Sequence, residues 1–412
     1  MILILNLVFK YLYVRICVMS KVDNKILAIS DEIKNLDLSS DIVENLYFYK
    51  YHSRYLQKLQ KTSIDHDDPH YISTYSSFIG EIYENIIYEL LLRYALNNDY
   101  IEKFVLKGPH QNNYKNQKNG LMIDLNDQIV YKAGYKDVTE FDALFFTKDS
   151  VWFVESTIVK TTTNLRKRLK KKKALLEVIF PNLTIKALII LNIGALGTSV
   201  FPSYATVWTT KALQNEDLVN NLIADLNTKS KHFTNYKNKK LIQSSDIKIV
   251  NFKYFDTLSW ILKTVRKNNK NILDFTFLNS KKILRYFEVF SKFYIGFIDT
   301  TTFIEILKYF NIVNISEDIA LSKIEDNKIF VTIEKTKDSF LVVYYLKILG
   351  DKLKRLDLDG DSLNVSNKDP KGFTAAEIKY IKYHLKDKYK LNLSNIQTIE
   401  NHIESLSNIV EI

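Results

Sequence analysis

The stretch TEFDALFFTKDSVWFVESTIVK, residues 139–160, holds two apolar runs of strand length joined by the turn-forming Lys148, Asp149 and Ser150. Each run carries one acid where a hydrophobe is expected, Asp142 in the first and Glu155 in the second. Successive strand residues face opposite ways. Val151, Phe153, Glu155 and Thr157 therefore share one face, with Trp152, Val154, Ser156 and Ile158 on the other. Both faces are largely apolar, the pattern of a strand covered on both sides. A carboxylate in such a strand is costly unless it is paired or binds a metal. Two of them on neighbouring strands suggest a site. If both were unpaired, alanine at either position would leave the fold intact or stabilise it.

The rest of the composition narrows the class. A chain of 412 residues, 46% of them hydrophobic, can fill a real core, and its length suits about two or three domains. Lys and Arg outnumber Asp and Glu by 58 to 47, a net charge of +11. That balance favours an anionic partner such as nucleic acid, although Lys, Asn, Ile and Tyr abound throughout, so genome composition competes as an explanation. With 10 Gly, and no G-x-G-x-x-G or G-x-x-x-x-G-K-[ST] pattern, a glycine-rich nucleotide fold is disfavoured and no small-molecule cofactor is expected. The single cysteine, Cys17, excludes a disulfide framework within the chain and any cysteine-based zinc site. It points to a reducing, cytoplasmic setting.

Residues 1–18 are apolar but interrupted by Lys10 and Arg15, short and charged for a membrane span. Met19 is expected to be the true start, with a membrane anchor as the alternative. Residues 19–75 read as a helical N-terminal region. In its loop at 64–70, His66, His70, Asp67 and Asp68 could ligate a metal, but a solvated turn ending at Pro69 is favoured. Residues 76–97 form a helix with a broad apolar stripe. Glu81 is expected to face solvent and Glu84 to reach inward.

A strand follows at 101–107, then a hairpin over 121–132, then the two strands of the opening stretch. Residues 164–180 form a helix whose narrow apolar stripe is Leu165, Leu169, Leu176 and Ile179. From Ser156 to Leu176 there are eight basic residues and no acid. Strands are expected at 184–193 and 204–209. From residue 231 onward the pattern reads as a mainly helical α+β region, with helices near 281–293, 302–311 and 316–325 and a hairpin near 328–346. A capping box, Thr374-x-x-Glu377, opens a further expected helix through Tyr389.

The order helix with Glu84, strand with Asp142, strand with Glu155, basic helix, strand resembles the core of the PD-(D/E)XK nuclease superfamily over about residues 76–193. Gly80-Glu81-Ile82-Tyr83-Glu84 is similar to the G-x-x-x-E helix of some members. The resemblance implies an α/β fold, a restriction-endonuclease-like mixed sheet flanked by helices, spanning a domain at 76–230. It implies Glu84, Asp142 and Glu155 as ligands of Mg²⁺ or Mn²⁺, and hydrolysis of phosphodiester bonds, of DNA ahead of RNA.

The chain departs from the pattern at one position. The signature lysine belongs two residues after Glu155, where Thr157 stands. Lys160 is the expected catalytic substitute, and Lys167 or Lys170 could also reach in from the helix. Arg166, Lys167, Lys170 and Lys171 are the expected nucleic-acid contacts. The competing readings are a nuclease-fold binder that has lost catalysis and a membrane-associated protein resting on residues 1–18.

Overall fold

The computed structural model describes residues 27–407 apart from 62–64, 112–116, 134–135, 159–160, 198–200, 215, 226–237, 251–253, 267–271, 316–323, 337–338, 349–352 and 367–388. The apolar extension at 1–18 with the expected start at Met19, Lys160, most of the expected helix at 316–325 and the capping-box helix from Thr374 all lie outside the described residues.

Three short helices come first: α1 Asp31–Asn35, α2 Ser40–Leu46 and α3 Ser53–Leu59. They lean on a long helix, α4 Pro69–Asn97. That helix begins seven residues before the expected start at Ser76. Proline is tolerated in a first turn because its missing N–H has no partner there anyway, and Asp68 caps the end by accepting from the His70 N–H at 2.6 Å. The loop histidine His66 stacks on Tyr71.

After α4 come β1 Lys103–Val105, a hairpin of β2 Asn119–Ile123 and β3 Ile129–Ala133, then β4 Lys136–Phe141, β5 Ala143–Phe146 and β6 Ser150–Thr157. Helix α5 Leu165–Ile179 crosses to β7 Thr184–Asn192, which is followed by β8 Ala205–Thr210, α6 Glu216–Asp225 and β9 Leu241–Ile242. The main sheet has the order β8-β7-β6-β5-β1-β9. It is mixed: β5 is antiparallel to β1 and β6, while β6, β7 and β8 run parallel. A parallel pair needs a crossover, and α5 supplies it.

Both faces of this sheet are covered, as the doubly apolar strands demand. Phe104, Phe145, Trp152, Val154, Leu188 and Ile190 pack towards α4 and the N-terminal helices. Val105, Leu144, Phe146, Val151, Phe153 and Ile189 form the opposite face beneath α5. The expected single strand through Asp142 is instead two, because β4 pairs with β3 in a separate three-stranded sheet. Asp142 is the bend where the chain passes from one sheet to the other.

The C-terminal region is not mainly helical. It holds α7 Tyr254–Val265, α8 Lys281–Phe290, β10 Lys292–Asp299, α9 Thr300–Tyr309, β11 Asn314–Ile315, β12 Ile324–Lys335, β13 Phe340–Ile348, β14 Leu353–Asp359, β15 Ser362–Val365 and α10 Leu393–Ser407. The expected hairpin is β12–β13, the middle of a six-stranded sheet ordered β10-β12-β13-β14-β15-β11. Strand β10 was hidden from periodicity because its six central residues are all buried, and an unbroken apolar run shows neither period. Helix α8 packs on α5, where Arg285 meets Glu177 at 3.2 Å. The core beneath α5 therefore continues into this region, through Phe287 and Phe293.

Glu89 ties the N-terminal helices to α4. Its buried carboxylate accepts from Tyr49 Oη at 2.6 Å and Asn45 Nδ2 at 3.1 Å, and lies 2.6 Å from His110 Nε2. Alanine at Glu89 leaves these groups buried without their shared acceptor. Urea unfolding of Glu89→Ala should show a loss of about 3 kcal/mol, whereas a change within about 0.5 kcal/mol, the usual size for a surface substitution, would contradict this role.

Candidate active site

Register brings the charged residues together. Lys103 lies opposite Phe146 and Phe104 opposite Phe145 on β1 and β5. Ala143 lies opposite Val154 on β5 and β6. Continued by one residue into the bend, the second register sets Asp142 across from Glu155, while Lys107 follows two residues beyond the end of β1. Residues directly opposite share a face, and here it is the face beneath α5, the side of Val105, Leu144 and Phe153. Asp142 and Glu155 thus stand side by side at this end of the sheet, their backbones about 4.8 Å apart, and Lys107, just past the end of β1, is near enough for the Asp142 charge to act on it.

Asp142 is held firmly. Its Oδ2 accepts from the Ser156 backbone N–H at 2.6 Å and the Ser156 hydroxyl at 3.0 Å, which fastens the bend to β6. Among the described residues its Oδ1 accepts no hydrogen bond.

Glu155 is buried, with 1% of its surface exposed. Both of its oxygens meet cations of α5: Arg168 Nη2 donates to Oε2 at 2.5 Å, and the Lys172 ammonium contacts Oε1. Lys172 is itself buried, and its Nζ lies 5.6 Å from the centre of the Phe141 ring. The expectation that alanine is tolerated at Glu155 does not hold, because it would leave the Lys172 charge buried without its partner.

Helix α5 otherwise presents its cations outward. Arg166, Lys167 and Lys170 are exposed and Lys171 is half-buried. Neither Lys167 nor Lys170 reaches the row, because Leu165, Leu169, Leu176 and Ile179 set the buried stripe and those two lysines fall off it.

Glu84 approaches from α4, partly exposed. Burial, and next the charge of Asp142, push its carboxyl up to about 8. Lys107 and Lys172 work against that rise. Glu81 differs from expectation: it accepts from the His52 backbone N–H at 3.0 Å and is half-buried rather than solvated. Burial draws the Lys107 and Lys172 ammonium groups below the ordinary lysine value, and the Asp142 carboxylate resists that pull.

Among the described residues no group of three or more His, Cys, Asp or Glu side chains converges on one point as a ready metal cage. The expected trio is therefore divided. Glu155 is engaged by cations, while Glu84 and the Oδ1 of Asp142 accept no hydrogen bond among the described residues. Magnesium is usually held by one or two carboxylates with waters completing its shell, and these two acids fit that modest requirement.

No family model, curated protein or solved structure matches the chain. The site is accordingly read from its own geometry. Lys107 escaped the sequence reading and Lys172 was counted there only within the basic run, yet both left a signal of the same kind as the acids. Lys172 occupies the vacant place in the stripe Leu165, Leu169, Leu176 and Ile179, three residues after Leu169. Lys107 closes the apolar run of β1 with the parity of Val105.

The raised carboxyl of Glu84 fixes a pH dependence. The unfolded chain loses this proton near the ordinary value of 4.5, and the folded chain near 8. Between those values the unfolded state is favoured by its easier ionisation, so stability contributed here is full below pH 4.5 and is lost as pH rises to 8. Glu84→Gln removes the loss. In metal-free thermal melts the variant's Tm relative to wild type should climb between pH 5 and pH 8; a pH-independent difference would contradict the burial of this carboxyl.

Proposed function

We propose that this chain is a metal-dependent nuclease with a restriction-endonuclease-like core of the PD-(D/E)XK kind. The observation that carries the reading is the charged row on one face of the mixed sheet, Asp142 beside Glu155, with Glu84 arriving from the preceding helix. The strand–strand–helix–strand order of β5, β6, α5 and β7 supports it.

Glu84 and Asp142 would hold Mg²⁺ or Mn²⁺ through their open carboxylate oxygens. Such an ion, when bound, polarises a phosphoryl oxygen and lowers the pKa of a bound water. Ser156 holds Asp142 in one orientation. Lys172 stands nearest the part first expected of Lys160, a lysine beside the acids, with its charge matched by Glu155, which keeps it in place. Arg166, Lys167 and Lys170, exposed on the same helix, would grip backbone phosphates, and half-exposed Arg168 stands between them and the row.

The second reading, a nucleic-acid binder on the same fold without cleavage, is favoured by one observation: both oxygens of Glu155 are already engaged by Arg168 and Lys172. Cleavage separates the two. Under this proposal the wild type cuts DNA or RNA in Mg²⁺ or Mn²⁺, Asp142→Ala abolishes cutting, and metal-free binding survives in the variant because the grip is cationic. A wild type that binds but never cuts would select the second reading, and an Asp142→Ala variant that cuts equally well would overturn the site.

Salt dependence tests the interface separately. Counterion release lowers the slope of log K against log salt by about 0.7–0.9 for each phosphate contact. Replacing Arg166, Lys167 and Lys170 by Gln should flatten that slope by about 2. An unchanged slope would move the interface elsewhere on the molecule.

A further inference from the structure

Lys107 is the strangest charge in the protein. Its surface exposure is 0%. A buried ammonium is normally paired with a carboxylate, because its desolvation is otherwise uncompensated. Lys107 makes no ion pair within 4.0 Å among the described residues. Its Nζ donates one hydrogen bond, to Gln128 Oε1 at 3.1 Å, and lies 5.1 Å from the centre of the Tyr88 ring. An ammonium carries three donors, so two remain without an acceptor among the described residues.

The side chain is nevertheless held in place. Tyr88, one helical turn beyond Glu84 on α4, accepts from the Lys107 backbone N–H at 2.8 Å and donates to the Val105 carbonyl at 3.1 Å. It thus fixes the end of β1 from both sides while its ring supports the ammonium. Gln128, from the β2–β3 turn, orients the head. The charges of Asp142 and Glu84 both act on this ammonium, which places it beside the two open acids. Lys172 differs, since its charge is already met by Glu155. The site therefore contains one cation with a counter-ion and one with spare donors.

Resting on the nuclease reading above, we propose that Lys107 is a substrate-contacting residue whose spare donors receive a non-bridging oxygen of the phosphodiester at Asp142. A compact, strongly hydrated ammonium suits a single phosphoryl oxygen as a point charge. The rival account is that Lys107 merely offsets the negative charge of Glu84 and Asp142. The two accounts differ in what a neutral side chain of similar length would do. As an offset, its loss strengthens cation binding at the acids and leaves phosphodiester binding alone. As a phosphate contact, its loss weakens phosphodiester binding without weakening cation binding.

Calorimetric titrations of the full chain with Ca²⁺, and then with a thymidine dinucleotide in saturating Ca²⁺, make the comparison. Lys107→Met should bind the dinucleotide about tenfold or more weakly, the usual weight of a lost charge-assisted hydrogen bond, with Ca²⁺ affinity unchanged or higher. Gln128→Leu, which frees the head without removing the charge, should lie between Lys107→Met and wild type; melting curves of both variants report that each is folded, and should Lys107→Met fail to fold, Gln128→Leu carries the test alone. Equal dinucleotide affinity in wild type and folded variants overturns the inference, as does a wild type that binds no dinucleotide. Lys107-dependent dinucleotide binding in a wild type that cuts nothing leaves the inference standing and overturns only the nuclease reading.

Discussion

Burial of the charged row beneath α5 is the constraint on which the rest depends. Asp142, at the bend before β5, and Glu155 on β6 lie across from one another in a sheet covered on both faces, where a carboxylate is costly unless it is paired. The chain meets the cost in two ways. Glu155 is matched by two cations from the crossover helix, and Asp142 by two hydrogen bonds from Ser156. Attraction inside a low-dielectric interior repays desolvation only when the geometry is close and the remaining atoms are satisfied. The contact between Lys172 and Glu155 therefore joins α5 to β6 at a point within the apolar stripe of Leu165, Leu169 and Leu176.

Asp142 also divides two sheets. Up to Phe141 the chain belongs with β3, and from Ala143 it belongs with β6. A bend at that point frees the aspartate from regular pairing and lets its carboxylate reach the backbone of Ser156. Glu84 then arrives from the long helix with a carboxyl that burial and Asp142 hold up near 8. Glu84 keeps its proton in part because of Asp142, and a divalent cation would let both acids ionise. That is the physical reason for reading a metal-assisted reaction here rather than a structural ion pair, which Glu155 already exemplifies.

Much of this was legible in the sequence, because the same anomaly recurs. Asp142 and Glu155 announce themselves as acids in apolar runs, and the strand, helix and strand from β6 through α5 to β7 stand as expected, although the run through Asp142 is split between two sheets. The cations were harder to see. Attention to the exposed run of α5 favoured Lys167 and Lys170, whereas the informative lysine was the one standing in the apolar stripe, Lys172. Lys107 was hidden because it lies two residues past a strand of only three, too short for alternation to show which way it points. Farther on, β10 was illegible for a different reason: a strand buried on both faces has no period. Long-range pairing, which assembles that sheet, leaves no local trace.

The central claim is that Glu84 and Asp142, and not the cation-bound Glu155, hold a divalent ion. Anomalous diffraction from crystals soaked in Mn²⁺ tests it directly. The account predicts a manganese peak within about 2.0–2.6 Å of Asp142 Oδ1 and a Glu84 carboxylate oxygen, the range for hard cations on oxygen, and predicts its loss in Asp142→Asn. A peak seated elsewhere, or crystals that take up no manganese at this row, would contradict it.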